Sequence, residues 1–117
     1  MSANVVLLVS STTTDSAQEI GQRRVNDALI SKRVVYSTVD GSMPEEKERR
    51  DQLFAVSSMR GKYPQVFIEK DGGELIFVGQ WEKIQELLEC DDIPAEVLAS
   101  NPTIETFTKT FVDVKRQ

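Results

Sequence analysis

Lys62-Tyr63-Pro64-Gln65-Val66-Phe67-Ile68-Glu69-Lys70-Asp71-Gly72-Gly73-Glu74-Leu75-Ile76-Phe77-Val78 is the stretch on which the fold turns. Gln65 to Glu69 and Glu74 to Val78 are short β-branched and aromatic runs, and the residues between them contain an Asp-Gly step. Such a step between two strand-like runs is a hairpin signal, so the two strands are expected to pair antiparallel. A parallel pair would need a crossover of a dozen residues or more, for which there is no room.

Upstream, Asn4-Val5-Val6-Leu7-Leu8-Val9-Ser10 is continuously apolar and reads as a strand buried on both faces. A hydroxyl-rich loop, Ser10 to Thr14, follows it, and Ser16-Ala17-Gln18-Glu19 has the form of a capping box. A helix is therefore expected from about residue 16 to residue 32, with Ile20, Val25, Ala28 and Leu29 as its apolar stripe. Val34 to Val39 reads as a second strand, stopped by Asp40-Gly41. Pro44 is suited to open a second helix, in which Glu45/Arg49 and Glu46/Arg50 form i,i+4 pairs and Leu53, Phe54 and Val56 the apolar side. The alternation of acids and bases from Glu45 to Asp51 reads as a solvated face, since the bases cancel the field a divalent cation needs.

Downstream, Trp81, Ile84, Leu87 and Leu88 mark a third helix, and Pro94 to Ala99 one or two helical turns. Asn101-Pro102-Thr103 resembles a cap with proline at the first helical position. Ile104, Phe107, Phe111 and Val114 then recur at helical spacing, which predicts a final helix. Two readings fit that stripe: docking onto the sheet-flanking helices, or an amphipathic face offered to a partner or to a second copy of the chain. The order β-α-β-α-β-β-α gives an α/β class, a four-stranded mixed sheet flanked by helices. Residues 1–92 are expected to form one domain, with 93–117 a helical C-terminal extension packed on it.

Composition narrows the function. The 117 residues carry 14 basic and 19 acidic side chains, a net charge of −5, which argues against general binding to nucleic acid or an anionic membrane. Cys90 is the single cysteine and there is no histidine. An internal disulfide, a dithiol cycle within the chain, a multi-cysteine zinc site and a histidine-based triad are all excluded. No cofactor or metal is called for. Met1-Ser2-Ala3-Asn4 lacks the positive lead of a secretory signal, and Val5 to Val9 is too short to span a bilayer. The expected address is a reducing cytoplasm.

Pro64 opening the third strand, then Gln65-Val66-Phe67-Ile68, a glycine turn, and Gly79-Gln80-Trp81 resemble the second half of a glutaredoxin, a thioredoxin-like fold. More narrowly, Ser10-Ser11-Thr12-Thr13, Val39-Asp40 and Pro64-Gln65-Val66-Phe67 resemble the Src-homology-3-binding glutamate-rich protein-like family. Its members have a glutaredoxin fold with a Ser/Thr-rich loop where glutaredoxins carry their active-site cysteines. The resemblance covers roughly residues 4–90. It implies a cis Tyr63–Pro64 bond and a groove formed by Ser11, Thr12, Thr13, Tyr63, Pro64, Gly79, Gln80 and Trp81. No P-x-x-P occurs among the four prolines, so the ligand class in the family's name does not carry over.

A glutaredoxin attacks with a thiolate stabilised at the mouth of its first helix. Here the corresponding stretch holds alcohols, no base stands beside them, and Asp15 opposes an alkoxide. Cys90 lies in Glu89-Cys90-Asp91-Asp92 at the end of the third helix, where neighbouring negative charge and the helix C-terminus disfavour a thiolate. The hydroxyl loop has two readings: a seat for a carboxylate or phosphate, or a self-capped helix start whose donors are already filled. Trp81 is expected in the core or at its rim. The chain is thus expected to be a non-enzymatic protein-interaction or scaffold module, monomeric or weakly homodimeric. The alternatives are weak, thiol-independent binding of glutathione or a peptide-like anion, with Lys62 or Arg60 adding charge, and redox activity at Cys90.

Overall fold

The computed structural model describes residues 3–117; the sequence expectation drawn at Met1-Ser2 lies outside them. Four strands, β1 (Asn4–Val9), β2 (Tyr36–Asp40), β3 (Gln65–Glu69) and β4 (Leu75–Gly79), form one sheet in the order β2-β1-β3-β4. β1 and β2 are parallel, with Leu8 beside Val39. β1 and β3 are antiparallel with Leu7 beside Val66, and so are β3 and β4, with Phe67 beside Phe77. The sheet is mixed, as the direct β3–β4 turn requires.

β1 lies in the interior, and its side chains alternate between two cores. Val5 and Leu7 join Val66 and Ile68 beneath α1 (Ser16–Ser31) and α3 (Trp81–Cys90). Val6 and Leu8 join Val39 and Phe67 beneath Leu53 and Phe54 of α2 (Lys47–Ser57). All four β1 side chains are at most 1% exposed, and each contributes roughly 1.5–3 kcal/mol of burial.

The helices depart from expectation in ways that follow from this packing. In α1 the buried positions are Gly21, Val25, Ala28 and Leu29, while Ile20 is exposed. One residue is a 100° turn of the helix, and it is Gly21 that faces inward. Pro44–Glu46 is a 3₁₀ turn ahead of α2. Glu45 and Glu46 therefore lie outside α2, and the expected pairs with Arg49 and Arg50 are replaced. Arg49 reaches Glu69 of β3 at 2.9 Å, and Arg50 pairs with Asp51 at 3.0 Å and donates to the Gly41 carbonyl. Val56 is exposed and only Leu53 and Phe54 of α2 are buried.

The predicted long final helix is also corrected. After α4 (Ala95–Ser100), only Phe107–Thr110 is helical (α5), capped by Thr106, whose hydroxyl accepts from the Lys109 N–H. The chain then runs extended. Ala3 N–H donates to Asp113 O, Lys115 N–H to Ala3 O, Val35 N–H to Lys115 O and Gln117 N–H to Arg33 O. Val114 bridges Ala3 in parallel and Arg116 bridges Val34 antiparallel. This segment enters where β1 and β2 diverge, which is why β2 begins at Tyr36 rather than Val34. Phe107 stacks on Phe111 at 4.2 Å, and both enter the α1/α3 core with Val114. The helical spacing of the apolar residues was real as a burial pattern, but one helical turn and an extended tail produce it.

Phe111 is fully buried, so Phe111→Ala should lower the unfolding free energy by about 4 kcal/mol and Phe111→Leu by about 1 kcal/mol. Urea unfolding checks both, and an unchanged midpoint in the alanine variant would show that the tail's aromatics do not brace the fold.

Candidate functional site

Three loops meet where β1 ends and α1 begins. The first, Ser10–Asp15, is tied to α1 by two reciprocal bonds: Ser10 N–H donates to Gln22 Oε1 at 2.7 Å, and Gln22 Nε2 donates to Ser10 O at 3.2 Å. The same loop is tied to the end of β2. Ser11 N–H donates to Asp40 Oδ1 at 3.1 Å, and the Ser11 and Ser42 hydroxyls lie 3.0 Å apart. Asp40 Oδ1 also accepts from Ser42 N–H at 3.0 Å and from the Ser42 hydroxyl at 2.6 Å. Burial opposes ionisation of Asp40, but the hydrogen bonds from Ser11 and Ser42 outweigh it and hold the carboxyl down to about 2.

The N-cap of α1 is Asp15 rather than Ser16, one residue ahead of the expected capping box. Its Oδ1 accepts from Gln18 N–H at 3.0 Å, and its own N–H donates to Thr13 Oγ1 at 3.3 Å. Thr13 in turn donates to Gln18 Oε1 at 2.9 Å, and the Ser10 and Thr12 hydroxyls are 3.4 Å apart. The loop thus meets much of its own hydrogen-bond demand, and a carboxylate already stands at the helix start, where the macrodipole favours negative charge. Thr12 and Ser11 remain exposed.

Gln18 also joins the second loop, donating through Nε2 to the Gly61 carbonyl at 3.4 Å. That loop leads to the Tyr63–Pro64 peptide, which is cis. It is held from beneath by Gln65, fully buried, whose Nε2 donates to the carbonyls of Met59 at 2.7 Å and Lys62 at 2.8 Å. Tyr63 packs on Phe54, with ring centroids 5.9 Å apart, and burial raises its phenol above the ordinary range.

Pro64 is buried against α1, and the contact explains Gly21. A Cβ there would lie 3.1 Å from Pro64 Cδ and 3.6 Å from the Trp81 Cβ. Gly21, Pro64 and Trp81 therefore converge. The third loop ends β4 at Gly79, whose φ of +154° suits glycine and whose Cβ would meet that of Lys83 at 2.5 Å. Gln80 is the N-cap of α3 without a side-chain cap bond, and Trp81 is half-buried with the Arg24 guanidinium 5.9 Å from its ring centre.

Cys90 lies elsewhere. It is half-buried at the C-terminal end of α3, nine residues and about 13 Å of helix beyond Trp81. The adjoining Asp91 accepts from Thr108 N–H at 3.0 Å and its hydroxyl at 3.2 Å, and pairs with Lys32 at 3.5 Å.

Solved structures similar in fold to this chain include glutaredoxins. The glutathione complex of buckwheat glutaredoxin is 18% identical with a TM-score of 0.52, and the match covers 86% of this chain and 80% of that chain. The holo form of glutaredoxin C1 from Populus tremula x tremuloides is 20% identical with a TM-score of 0.54, covering 90% and 84%. The fold is thioredoxin-like, of the glutaredoxin type. No family model matches the chain, and no curated protein does.

Sequence reading missed Gln18 and Gln22, and it quoted Asp40 and Gln65 within the Val39-Asp40 and Pro64-Gln65-Val66-Phe67 motifs without seeing the bonds by which they fasten the loops. A buried polar residue one position after a strand-opening proline was the one available signal, at Gln65.

The carboxylate is the bonded form of Asp40, so its contribution is complete above the ordinary value of 3.8 and is lost as pH falls toward 2. After allowance for solvent screening it amounts to about 1 kcal/mol. Wild type should lose that much more stability than Asp40→Asn between pH 4 and pH 2, with the carboxyl titrating near 2 by NMR. A midpoint at 3.8 would mean that the Ser11 and Ser42 bonds do not hold the loop in solution.

Proposed function

We propose that this chain is a non-catalytic thioredoxin-fold interaction module, acting in a reducing cytoplasm, that keeps the groove of a glutaredoxin without its sulfur. The observation that carries this reading is the position of the one thiol. Cys90 is at the far end of α3, whereas Ser11, Thr12 and Thr13 occupy the loop before α1. An alcohol has no thiolate to offer at neutral pH, and this loop has no base to activate one. The resemblance to the Src-homology-3-binding glutamate-rich protein-like family supports the same conclusion. The binding surface is Ser11, Thr12 and Thr13 with Tyr63-Pro64 and Gly79-Gln80-Trp81, where Trp81 supplies an amphipathic aromatic anchor. Residues 93–117 belong with 1–92 as one folding unit, because Phe107, Phe111 and Val114 share a core with β1 and α1.

A second reading has one observation in its favour, that a glutaredoxin of the same fold was solved with glutathione. Weak glutathione binding here would use the backbone of Tyr63 and Gly79, without a mixed-disulfide anchor. The Asp15 carboxylate at the α1 start opposes it, since it stands where an anionic ligand would gain most from the helix.

A reductase-coupled glutaredoxin assay should show no turnover above background for wild type and Cys90→Ser alike, while a partner retained by wild type is released by Trp81→Ala. Turnover that vanishes in Cys90→Ser would overturn the non-catalytic reading. Saturating amide shifts at Ser11, Tyr63 and Gly79 on titration with millimolar glutathione would instead select the second reading.

A further inference from the structure

We propose that the cavity between the β3–β4 hairpin and the C-terminal tail is a binding site for an organic ammonium ion with an apolar body. The cavity has a volume of about 430 Å³, within the range of small-ligand sites. It adjoins Lys70 and Asp71, beyond the end of β3 that lies away from Pro64. The site is therefore separate from the candidate groove and goes beyond the interaction role proposed above.

The extended tail shapes it. Ile68 of β3 and Ile76 of β4 are side by side on the α1/α3 face of the sheet, and Ala3 and Val114 complete the apolar wall. Ile68 is almost wholly buried, whereas Ile76 is 38% exposed and opens onto the cavity. α5 ends at Thr110 and the chain then runs extended, so Phe111 and Val114 enter the core. Val112, between them, is left 70% exposed at the rim. Such a wall favours hydrocarbon.

The charges at the rim select the head group. Lys70, Asp71, Lys109 and Asp113 all line the opening. Both lysines are engaged: Lys70 pairs with Glu74 at 3.8 Å, and Lys109 Nζ donates to the Ile104 carbonyl at 3.0 Å. Asp113 uses its backbone carbonyl to accept from Ala3 N–H, and Asp71 sits in the turn closed by Gly73 N–H and Lys70 O. Among the described residues, neither of these two carboxylates has a side-chain hydrogen bond or an ion pair. Two unengaged acceptors beside an apolar hollow complement a ligand that donates hydrogen bonds, carries positive charge and ends in hydrocarbon. The apolar wall strengthens such a pair relative to open water. The net charge of −5 draws in the same sign of ion. An anionic ligand would have to take a lysine from its partner and face both aspartates.

Titration of the full chain with hexylamine, hexanol and hexanoate, followed by NMR, tests this, because the three probes share a chain length and differ in charge. The protonated amine should give saturating shifts at Ile68, Ile76 and Val114 and bind about tenfold more tightly than hexanol, with hexanoate weakest. Asp71→Asn and Asp113→Asn should each weaken the amine by about threefold and leave hexanol unchanged. Ile76→Lys, a change at a partly exposed position that sets an ammonium in the wall, should abolish amine binding. Equal affinity for amine and alcohol would overturn the proposal, and so would preference for hexanoate, since Lys70 and Lys109 would then be the groups that read the ligand. Absence of saturation at tens of millimolar amine would also end it, as would shifts centred on Ser11, Tyr63 and Gly79. The glutaredoxin assay and Trp81→Ala do not touch this cavity, so the proposal and the non-catalytic reading stand or fall separately.

Discussion

The burial of β1 on both faces is the constraint that orders this molecule. A strand whose four central side chains are all withdrawn from water needs a layer above and a layer below. α1 and α3 with the tail supply one layer and α2 the other. Once both layers are in place, the C-terminal end of β1 is the point where α1 must start, β2 must end and the loop before β3 must pass. The candidate groove lies there because the sheet leaves these three segments nowhere else to converge. Gly21 shows how tight that convergence is, since even one added carbon would press on Pro64.

Much of this was legible because the signals were local. A continuous apolar run, an Asp-Gly turn and a strand-opening proline carry their meaning in a few adjacent residues, and from them the mixed sheet followed. The tail was not legible for the opposite reason. Val114 belongs to the core, but it gets there by bonding to Ala3 across the whole length of the sequence. A periodicity argument sees that Ile104, Phe107, Phe111 and Val114 are spaced for a helix, and it cannot see that backbone groups of Ala3 and Val35 compete for the last of them. Tertiary pairing overrode the local pattern, and it displaced the start of β2 as well.

The candidate site divides along the same line. Ser11, Tyr63, Pro64 and Gly79 could be named from motifs, because their places are set by strand ends and turns. Gln18 and Gln22 could not, and the motifs that contain Gln65 and Asp40 do not disclose their bonds, because an amide or carboxylate acquires its role only from the partners that the fold brings to it. Gln18 is the clearest instance: one oxygen takes the Thr13 hydroxyl while its nitrogen reaches Gly61, 43 residues away. In the sequence it is an ordinary exposed-type residue of a first helical turn. In the structure it fastens the hydroxyl loop to the loop that carries Pro64.

That fastening bears on which function suits the groove. A catalytic thiol loop needs free donors aimed at the reacting sulfur, so that negative charge there is stabilised. In this chain the first-turn N–H of Gln18 is taken by Asp15, the Ser11 N–H by Asp40, and the Thr13 hydroxyl by Gln18. The loop has been closed on itself with negative charge, which turns its electrostatics against an anionic nucleophile or ligand. What stays open is shape and apolar surface: the half-buried Trp81, the turn before Pro64 and the exposed Thr12. The proposed interaction role draws on that shape and apolar area.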